Sequence, residues 1–278
     1  MPSFPIIVNQ SNAINSNTFQ YNLPSNVDFT NIELALSDIS LYYSWYSITS
    51  AYNNNKFSLV FPSGATSTTY NIIIPDGTYS VSDLNNYLKY WFIQNNLYIT
   101  NNTSGNITVY AEFIENAPAY AVSLVCYPLP TSTPAGFTNA GITWPTVSRG
   151  PQIIINNQGF SDIIGFPLGT YPSAQSATIV TTNSSIVPQI SPVQSVIVMV
   201  DAVSNPFASN SGVVHTFSSK GVRFGSLISS SPSEYNYVQC QQGMRQQIII
   251  RLVDQLFRPL NLLDTNLTIK LLMKLKEN

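Results

Sequence analysis

Short stretches in which apolar and polar residues alternate, separated by turn residues, are the feature that most limits how this chain can fold. Phe19, Tyr21 and Leu23, for example, alternate with polar neighbours before Pro24. Such stretches occur at 19–23, 32–41, 57–61, 70–74, 97–100, 107–113, 120–127, 152–155, 193–203, 213–217, 235–240, 246–253 and 267–275. A period of two places every second side chain on one face of a strand. The pattern therefore predicts an all-β sandwich or barrel of about a dozen strands.

Two local signals refine this prediction. The alternation between Ile32 and Leu41 slips by one residue near Ser37-Asp38, which predicts a bulge or bend. The sequence Pro75-Asp76-Gly77 predicts a turn after the strand 70–74.

One segment has helical periodicity instead. Its apolar residues fall at i, i+3, i+4, i+7 and i+8, namely Leu84, Tyr87, Leu88, Trp91 and Phe92. We expect one helix near 82–94, with Ser82 as the N-cap and Asp83 in the first turn. The segment 160–166 predicts a single helical turn that ends at Gly165.

The chain is long enough for one large domain or two small ones. Residues 1–17 are Asn-rich with one short apolar run, and we expect an N-terminal arm there. The β domain is expected to span 18–278. Five prolines punctuate 128–151, so long loops or an insertion are expected around 128–190, as a loop region or subdomain spanning 128–192.

The side chains that carry out most enzyme chemistry are scarce. Charged residues make up 9% of the chain, with one histidine and two cysteines, Cys126 and Cys240. Ordinary soluble proteins carry roughly 25% charged residues. Subunits covered by neighbours and soluble domains solvated by amides and hydroxyls would both show this composition. No cofactor is predicted. Without a secretory signal or a membrane-length apolar stretch, an intracellular setting is expected.

Charge is unevenly distributed along the chain. Residues 1–219 hold three basic and nine acidic side chains, whereas 220–278 hold eight basic and four acidic ones. The net charge of −2 implies no bulk attraction to nucleic acid. The positive C-terminal part is consistent with solvated strand faces, or with a surface that faces a polyanion or an acidic partner.

Candidate reactive residues do not form a recognisable site. His215 is placed in a strand and no Gly-x-Ser-x-Gly sequence supports a Ser-His-Asp triad. The single histidine and two cysteines follow no zinc-ligand spacing. Glu112 and Glu115 have an odd spacing, so a strand would point them to opposite faces. No catalytic, cofactor-binding or metal-binding residue is predicted.

Two other groups of residues can be interpreted either as structural or as functional. Asp254 and Asp264 flank a turn and are interpreted as turn formers. The aromatic residues between Tyr42 and Tyr46, together with Trp144, could stack on sugars, but packing in a core or an interface also explains them.

Several segments in order resemble one family. They are LALSDISLYYSWYSI (34–48), NNNKF (53–57), IPDGTYSVSDLN (74–85), FSDIIGF (160–166), GTYP (169–172), IIIRLVDQ (248–255), PLNL (259–262) and LTIKL (267–271). Together these segments resemble the penton, or minor capsid, proteins of virophages and related Polinton-type viruses of the Mavirus kind. The resemblance covers roughly 18–275, and the proline-rich stretch 128–150 has no counterpart in it.

This resemblance implies a single jelly roll of two antiparallel sheets and a structural, non-enzymatic role. It implies a homopentamer at the vertex of an icosahedral capsid, in contact with a trimeric double-jelly-roll major capsid protein. The resemblance also implies that the protein lies in the virion and that it is assembled inside the infected host cell. The C-terminal basic bias could then lie near packaged DNA.

Two alternatives stay open from the residues alone. The first is a β-sandwich attachment or carbohydrate-binding module that uses exposed Tyr and Trp. The second is a glycosidase, for which Glu112, Glu115, Asp201 and Asp254 are the candidate carboxylates.

Overall fold

A computed structural model describes residues 3–276 of the chain. Residues 1 and 2 of the predicted arm and residues 277 and 278 of the predicted β domain lie outside the described residues. The chain divides into two compact units. Unit 1 combines Met1–Trp45 with Val193–Asn278, and unit 2 is Tyr46–Pro192. Unit 2 ends where the predicted insertion 128–192 ends, but it begins much earlier.

Nineteen strands and two α-helices are found among residues 3–276. In chain order they are β1 (Phe4–Asn9), β2 (Thr18–Asp28), β3 (Ile32–Tyr42), β4 (Lys56–Ser63), β5 (Thr66–Ile73), α1 (Val81–Gln94), β6 (Ile99–Asn101), β7 (Ile107–Thr108), β8 (Ala111–Asn116), β9 (Ala121–Cys126), β10 (Phe137–Asn139), β11 (Gln152–Ile155), α2 (Gln158–Ile164), β12 (Gly169–Tyr171), β13 (Val180–Asn183), β14 (Val196–Val200), β15 (Val213–Phe217), β16 (Leu227–Ser230), β17 (Val238–Gln239), β18 (Met244–Asp254) and β19 (Leu267–Leu275).

Unit 1 contains two antiparallel sheets. One has the order β1-β19-β3-β16, with the short β17 also paired to β3, and the other has the order β15-β14-β18-β2. Leaving β17 aside, the first strand of the unit pairs with the last, the second with the seventh, the third with the sixth and the fourth with the fifth. This nested pairing is that of an eight-stranded jelly roll, so the all-β jelly-roll prediction is confirmed for unit 1.

The interior of unit 1 follows from strand alternation. In β18, Ile248, Ile250 and Leu252 are fully buried, whereas Arg251 between them is exposed. The β3–β19 ladder changes register so that Ile269 pairs with Ile39 but Leu271 pairs with Leu36. The extra residue in β3 lies at the predicted slip near Ser37-Asp38, which confirms the bulge.

Strand β1 lies inside the segment 1–17 that was expected to be an arm. It pairs with β19 along its whole length, and Ile6 and Val8 are buried while Ile7 is exposed. The sequence signal is weak because only two side chains of the strand enter the core. Its partner is also more than 250 residues away in the chain.

Unit 2 has three small sheets, with orders β12-β11-β4-β5, β13-β9-β8 and β10-β6-β7. Strand β10 lies within the proline-rich stretch 128–151, where it pairs with β6. The core of the unit combines apolar residues of these strands and of both helices, including Phe57, Leu88, Phe92 and Phe160.

Both helices differ from the expectation. The N-cap of helix α1 is Ser80, two residues before the predicted Ser82, and Ser80 forms a capping box with Asp83. The expected single turn at 160–166 is a second helix, α2, capped by Asn157. It does end at Gly165, whose φ of 74° is in the left-handed region, as predicted.

Some strand bounds also differ. Strand β2 continues past Pro24. Its pairing with β18 has a register irregularity between Arg245 and Gln247. The predicted strand 235–240 is reduced to β17. The predicted strand 107–113 is divided into β7 and β8.

The position of β1 predicts a contrast between two neighbouring isoleucines. Ile6 is 4% exposed and Ile7 is 54% exposed. Ile6→Ala should lower the free energy of unfolding by about 2–5 kcal/mol, because it leaves a cavity in the sandwich. Ile7→Ala should change it by less than about 0.5 kcal/mol, as most surface substitutions do. Chemical denaturation of both variants checks this. Equal and small effects would mean that β1 is a loose arm.

Candidate functional site

His215 joins the edges of the two sheets of unit 1. It lies on β15, opposite the buried Val198, and its Nε2 is 3.4 Å from the hydroxyl oxygen of Ser230 on β16. The His215 ring also stacks on Phe217 at 6.4 Å between centroids. Burial lowers the pKa of His215 below its usual value. The contact connects a residue of each sheet, which agrees with the interpretation of His215 as a packed strand residue.

The two cysteines are buried and separate. Cys126 lies on β9 in unit 2, and Cys240 follows β17 in unit 1. Burial raises the pKa of each thiol to about 12. Both are therefore protonated at neutral pH and are poor nucleophiles. Within residues 3–276, His, Cys, Asp and Glu form no cluster that could hold a metal ion.

Glu112 and Glu115 lie on β8, which pairs with β9 in unbroken register. Alternation along this strand directs their side chains to opposite faces, as expected. Glu112 accepts a short hydrogen bond from the Tyr127 hydroxyl, and this bond raises the pKa of Tyr127 to about 12. Glu115 is exposed. The structure does not bring these two carboxylates together.

Asp254 and Asp264 shape turns, as the sequence predicts. Asp254 is fully buried, accepts hydrogen bonds from the backbone N–H groups of Leu256 and Arg258, and pairs with the Arg258 guanidinium at 2.7 Å. Asp264 accepts from the N–H of Asn266 at 2.8 Å.

The fourth candidate carboxylate is tied to the end of the sandwich. Asp201 accepts from the N–H of Ile249 at 2.8 Å and pairs with Arg245 at 3.4 Å. These contacts fix the chain where β14 ends. Each of the four candidate glycosidase carboxylates thus has a structural partner or stands alone on a strand.

The aromatic candidates for sugar stacking are mostly used in packing. Tyr43 and Trp45 are buried, with ring centroids 4.4 Å apart, and Tyr43 also meets Phe224 edge to face. Trp144 is half-buried, and its indole N–H donates to the hydroxyl of Thr133 at 3.0 Å. The most exposed aromatic rings are Phe207 and Tyr120, which the sequence analysis did not select.

The basic C-terminal part is partly neutralised within unit 1. Among the described residues, three of its basic side chains have ion pairs: Arg245 with Asp201, Arg258 with Asp254, and Lys274 with Glu33. Lys274 also lies 4.1 Å over the Tyr237 ring. Lys220, Arg223 and Arg251 are exposed.

The surface best suited to a partner is the outward face of the sheet β15-β14-β18-β2. Its strands direct neutral side chains outward, polar ones at Thr18, Gln20, Thr216 and Gln247 and apolar ones at Ile197, Met199 and Ile249, and Arg251 is its one exposed unpaired cation among the described residues. We call this surface the polar face. Sequence patterning alone could not find it, because Thr and Gln at alternate strand positions mark any exposed face.

Concave sites are shallow and lie within single units. In unit 1, a cavity of about 580 Å³ is lined by the loop 204–207 and residues 237–242. In unit 2, an apolar cavity of about 330 Å³ lies beside Tyr120, Val187 and Ile190. Neither cavity contains a pair of titratable groups placed for acid–base chemistry. No helix within residues 3–276 has the length and apolarity needed to cross a membrane.

Comparison with known proteins gives structural similarity but no sequence match. No protein-family model and no curated protein matches the sequence. Among solved structures, the chain is similar to the crystal structure of the selenomethionine-labelled mavirus penton protein, with 12% identity and a TM-score of 0.45 over 98% of both chains. That protein belongs to the class that the sequence segments resemble. With a TM-score this low, we draw no argument about function from the similarity.

The contact of His215 predicts an acid-dependent loss of stability. Burial disfavours the charged imidazole, so the folded protein gains stability from neutral His215 above the ordinary pKa of about 6.5 and loses it as pH falls through that value. His215→Gln should lose less thermal stability than the wild type between about pH 8 and about pH 5. Thermal unfolding at both pH values checks this. The same loss in both proteins would show that His215 does not contribute.

Proposed function

We propose that the chain is a structural capsid protein whose five copies form the penton at the vertex of an icosahedral capsid. The observation that carries this proposal is a complete jelly roll with a polar face that is almost free of charge. The role needs no catalytic site, and the protein would reside in the virion after assembly in the infected cell.

The polar face has the composition of a contact between copies. A closed five-fold ring uses a heterologous interface, in which two different surfaces of each subunit meet. The centres of such interfaces are depleted in charged residues because desolvating an unpaired charge costs free energy. Thr18, Gln20, Thr216 and Gln247 can be covered by another subunit at little cost, provided that their hydrogen bonds are replaced.

Segments of both units support the same proposal. Those that resemble virophage and Polinton-type pentons form strands β3, β18 and β19 of the jelly roll, together with the turn before α1 and helix α2 of unit 2. They therefore include elements that define the sandwich and elements of the inserted unit. The trimeric major capsid protein would contact the ring from outside.

Contact with packaged DNA is a weaker part of this proposal. The exposed side chains of Lys220 and Arg223 support it, because cations without internal partners are free to meet phosphates. The other basic residues of the C-terminal part are largely used within unit 1, as described above.

Native mass measurement with negative-stain imaging tests the pentamer. We expect a five-fold ring whose population rises with protein concentration. Gln247→Lys adds a charge to the exposed polar face and should reduce the ring population at least tenfold, because an unpaired charge would be buried between subunits.

The matched control is Gln94→Lys, at the exposed last residue of α1, which should leave the ring intact. Thermal unfolding of both variants should match the wild type. An equal effect of the two substitutions would contradict the placement of the contact on the polar face. Binding to a glycan array by a strictly monomeric protein would favour the attachment alternative.

A further inference from the structure

Strand β5 of unit 2 is an open sheet edge without the usual protection. It is the last strand of the sheet β12-β11-β4-β5 and pairs with β4 through all eight residues without a register shift. Its sequence, TSTTYNII, contains no charged residue, proline or glycine. Thr66, Thr68, Thr69, Asn71 and Ile73 are exposed.

The register shows which backbone groups of β5 face away from β4. The N–H of Ile74 donates to the carbonyl of Asn55 at 2.7 Å, and antiparallel pairs alternate in bonding. Ile72, Tyr70, Thr68 and Thr66 therefore bond to β4, whereas Ser67, Thr69, Asn71 and Ile73 face outward. The carbonyl of Ile73 accepts from the Tyr87 hydroxyl at 2.6 Å, so α1 closes that end of the edge.

Three consecutive outward positions remain. Among the described residues, the backbone N–H and C=O groups of Ser67, Thr69 and Asn71 have no partner. Such a row is a template for another strand, because each unpaired group can bond to an approaching backbone.

The two longest edge strands of unit 1, β1 and β2, are blocked. Strand β1 carries Pro5, and the N–H of Asn9 is bonded to its own neighbour Asn12. Strand β2 contains Pro24, and the carbonyl of Thr18 accepts from the N–H of Ile14. Prolines and local caps are devices that prevent edge pairing. Strand β5 has no proline or local cap of this kind, which indicates that its edge pairs with another strand.

We propose that two copies of the chain pair through β5, antiparallel and around a two-fold axis at Thr69. The two four-stranded sheets then become one continuous sheet. Thr69 lies opposite Thr69 of the second copy and Ser67 lies opposite Asn71. Each of these three residue pairs exchanges two backbone hydrogen bonds, about six in total.

A second copy fits this edge better than a charged segment of another protein. The strand is neutral, so self-pairing places no like charges opposite one another. A Thr–Thr pair is among the favourable cross-strand pairs. The tight turn at Gly64, with its φ of 56°, and the Tyr87 contact end the free edge on either side of the self-complementary stretch. The contact involves unit 2 and does not depend on the proposed pentamer.

Cysteine cross-linking tests the register. In the paired dimer the Cα atoms of the two Thr69 residues would be about 5.5 Å apart, within the range of a disulfide. Thr69→Cys should give a covalent dimer on mild oxidation, read on a denaturing gel. Thr68→Cys is the matched control, since its diagonal separation of about 7–8 Å is too long. The native cysteines are buried and should not cross-link.

A charge substitution provides an independent measurement without a disulfide. Sedimentation velocity of the wild type should show a dimer that forms as concentration rises. Thr69→Lys places two charges opposite each other and should weaken dimer formation at least fivefold. Thr103→Lys, in an exposed turn of the same unit, should not. No concentration-dependent dimer, or equal cross-linking of Thr68→Cys and Thr69→Cys, would overturn the proposal.

Discussion

The pairing of strands across the inserted unit is the constraint on which unit 1 depends. Every ladder made by β1, β2 and β3 joins them to strands that follow unit 2 in the sequence. Closing a long loop costs conformational entropy, but the cost grows only with the logarithm of loop length. A compact unit between β3 and β14 is therefore compatible with a stable sandwich, provided that long ladders such as β3–β19 supply enough contacts.

The low charge of the chain has two structural consequences. Within unit 1, buried or half-buried charges such as Asp254 and Lys274 have nearby partners, which offsets the cost of desolvating them. On the surface, neutral side chains make up most of the polar face and the whole of strand β5. A neutral surface repels a second copy less than a charged one does. The same property thus connects the proposed ring with the proposed β5 contact, although they use different units.

Local signals predicted local structure well. The bulge near Ser37-Asp38, the end of α2 at Gly165 and the turns at Asp254 and Asp264 were all indicated by a few adjacent residues. Such features depend on backbone sterics and short-range hydrogen bonds, which the sequence contains. The N-cap of α1 was misplaced by two residues because Ser80 and Ser82 are both good caps, and the Ser80–Asp83 box decides between them. The apolar pattern of β1 is weak, so the sequence did not predict this strand of the core.

The sequence by itself determined the fold class, the main helix and the lack of a recognisable catalytic motif. These follow from residue periodicity and composition, which act over a few neighbouring positions. Only the tertiary structure decided that residues 4–9 complete the jelly roll, that His215 bridges to Ser230, and that β5 is left open. Each of these depends on which distant strand becomes a neighbour. That choice is set by the summed packing of whole sheets, and no local pattern of residues encodes it.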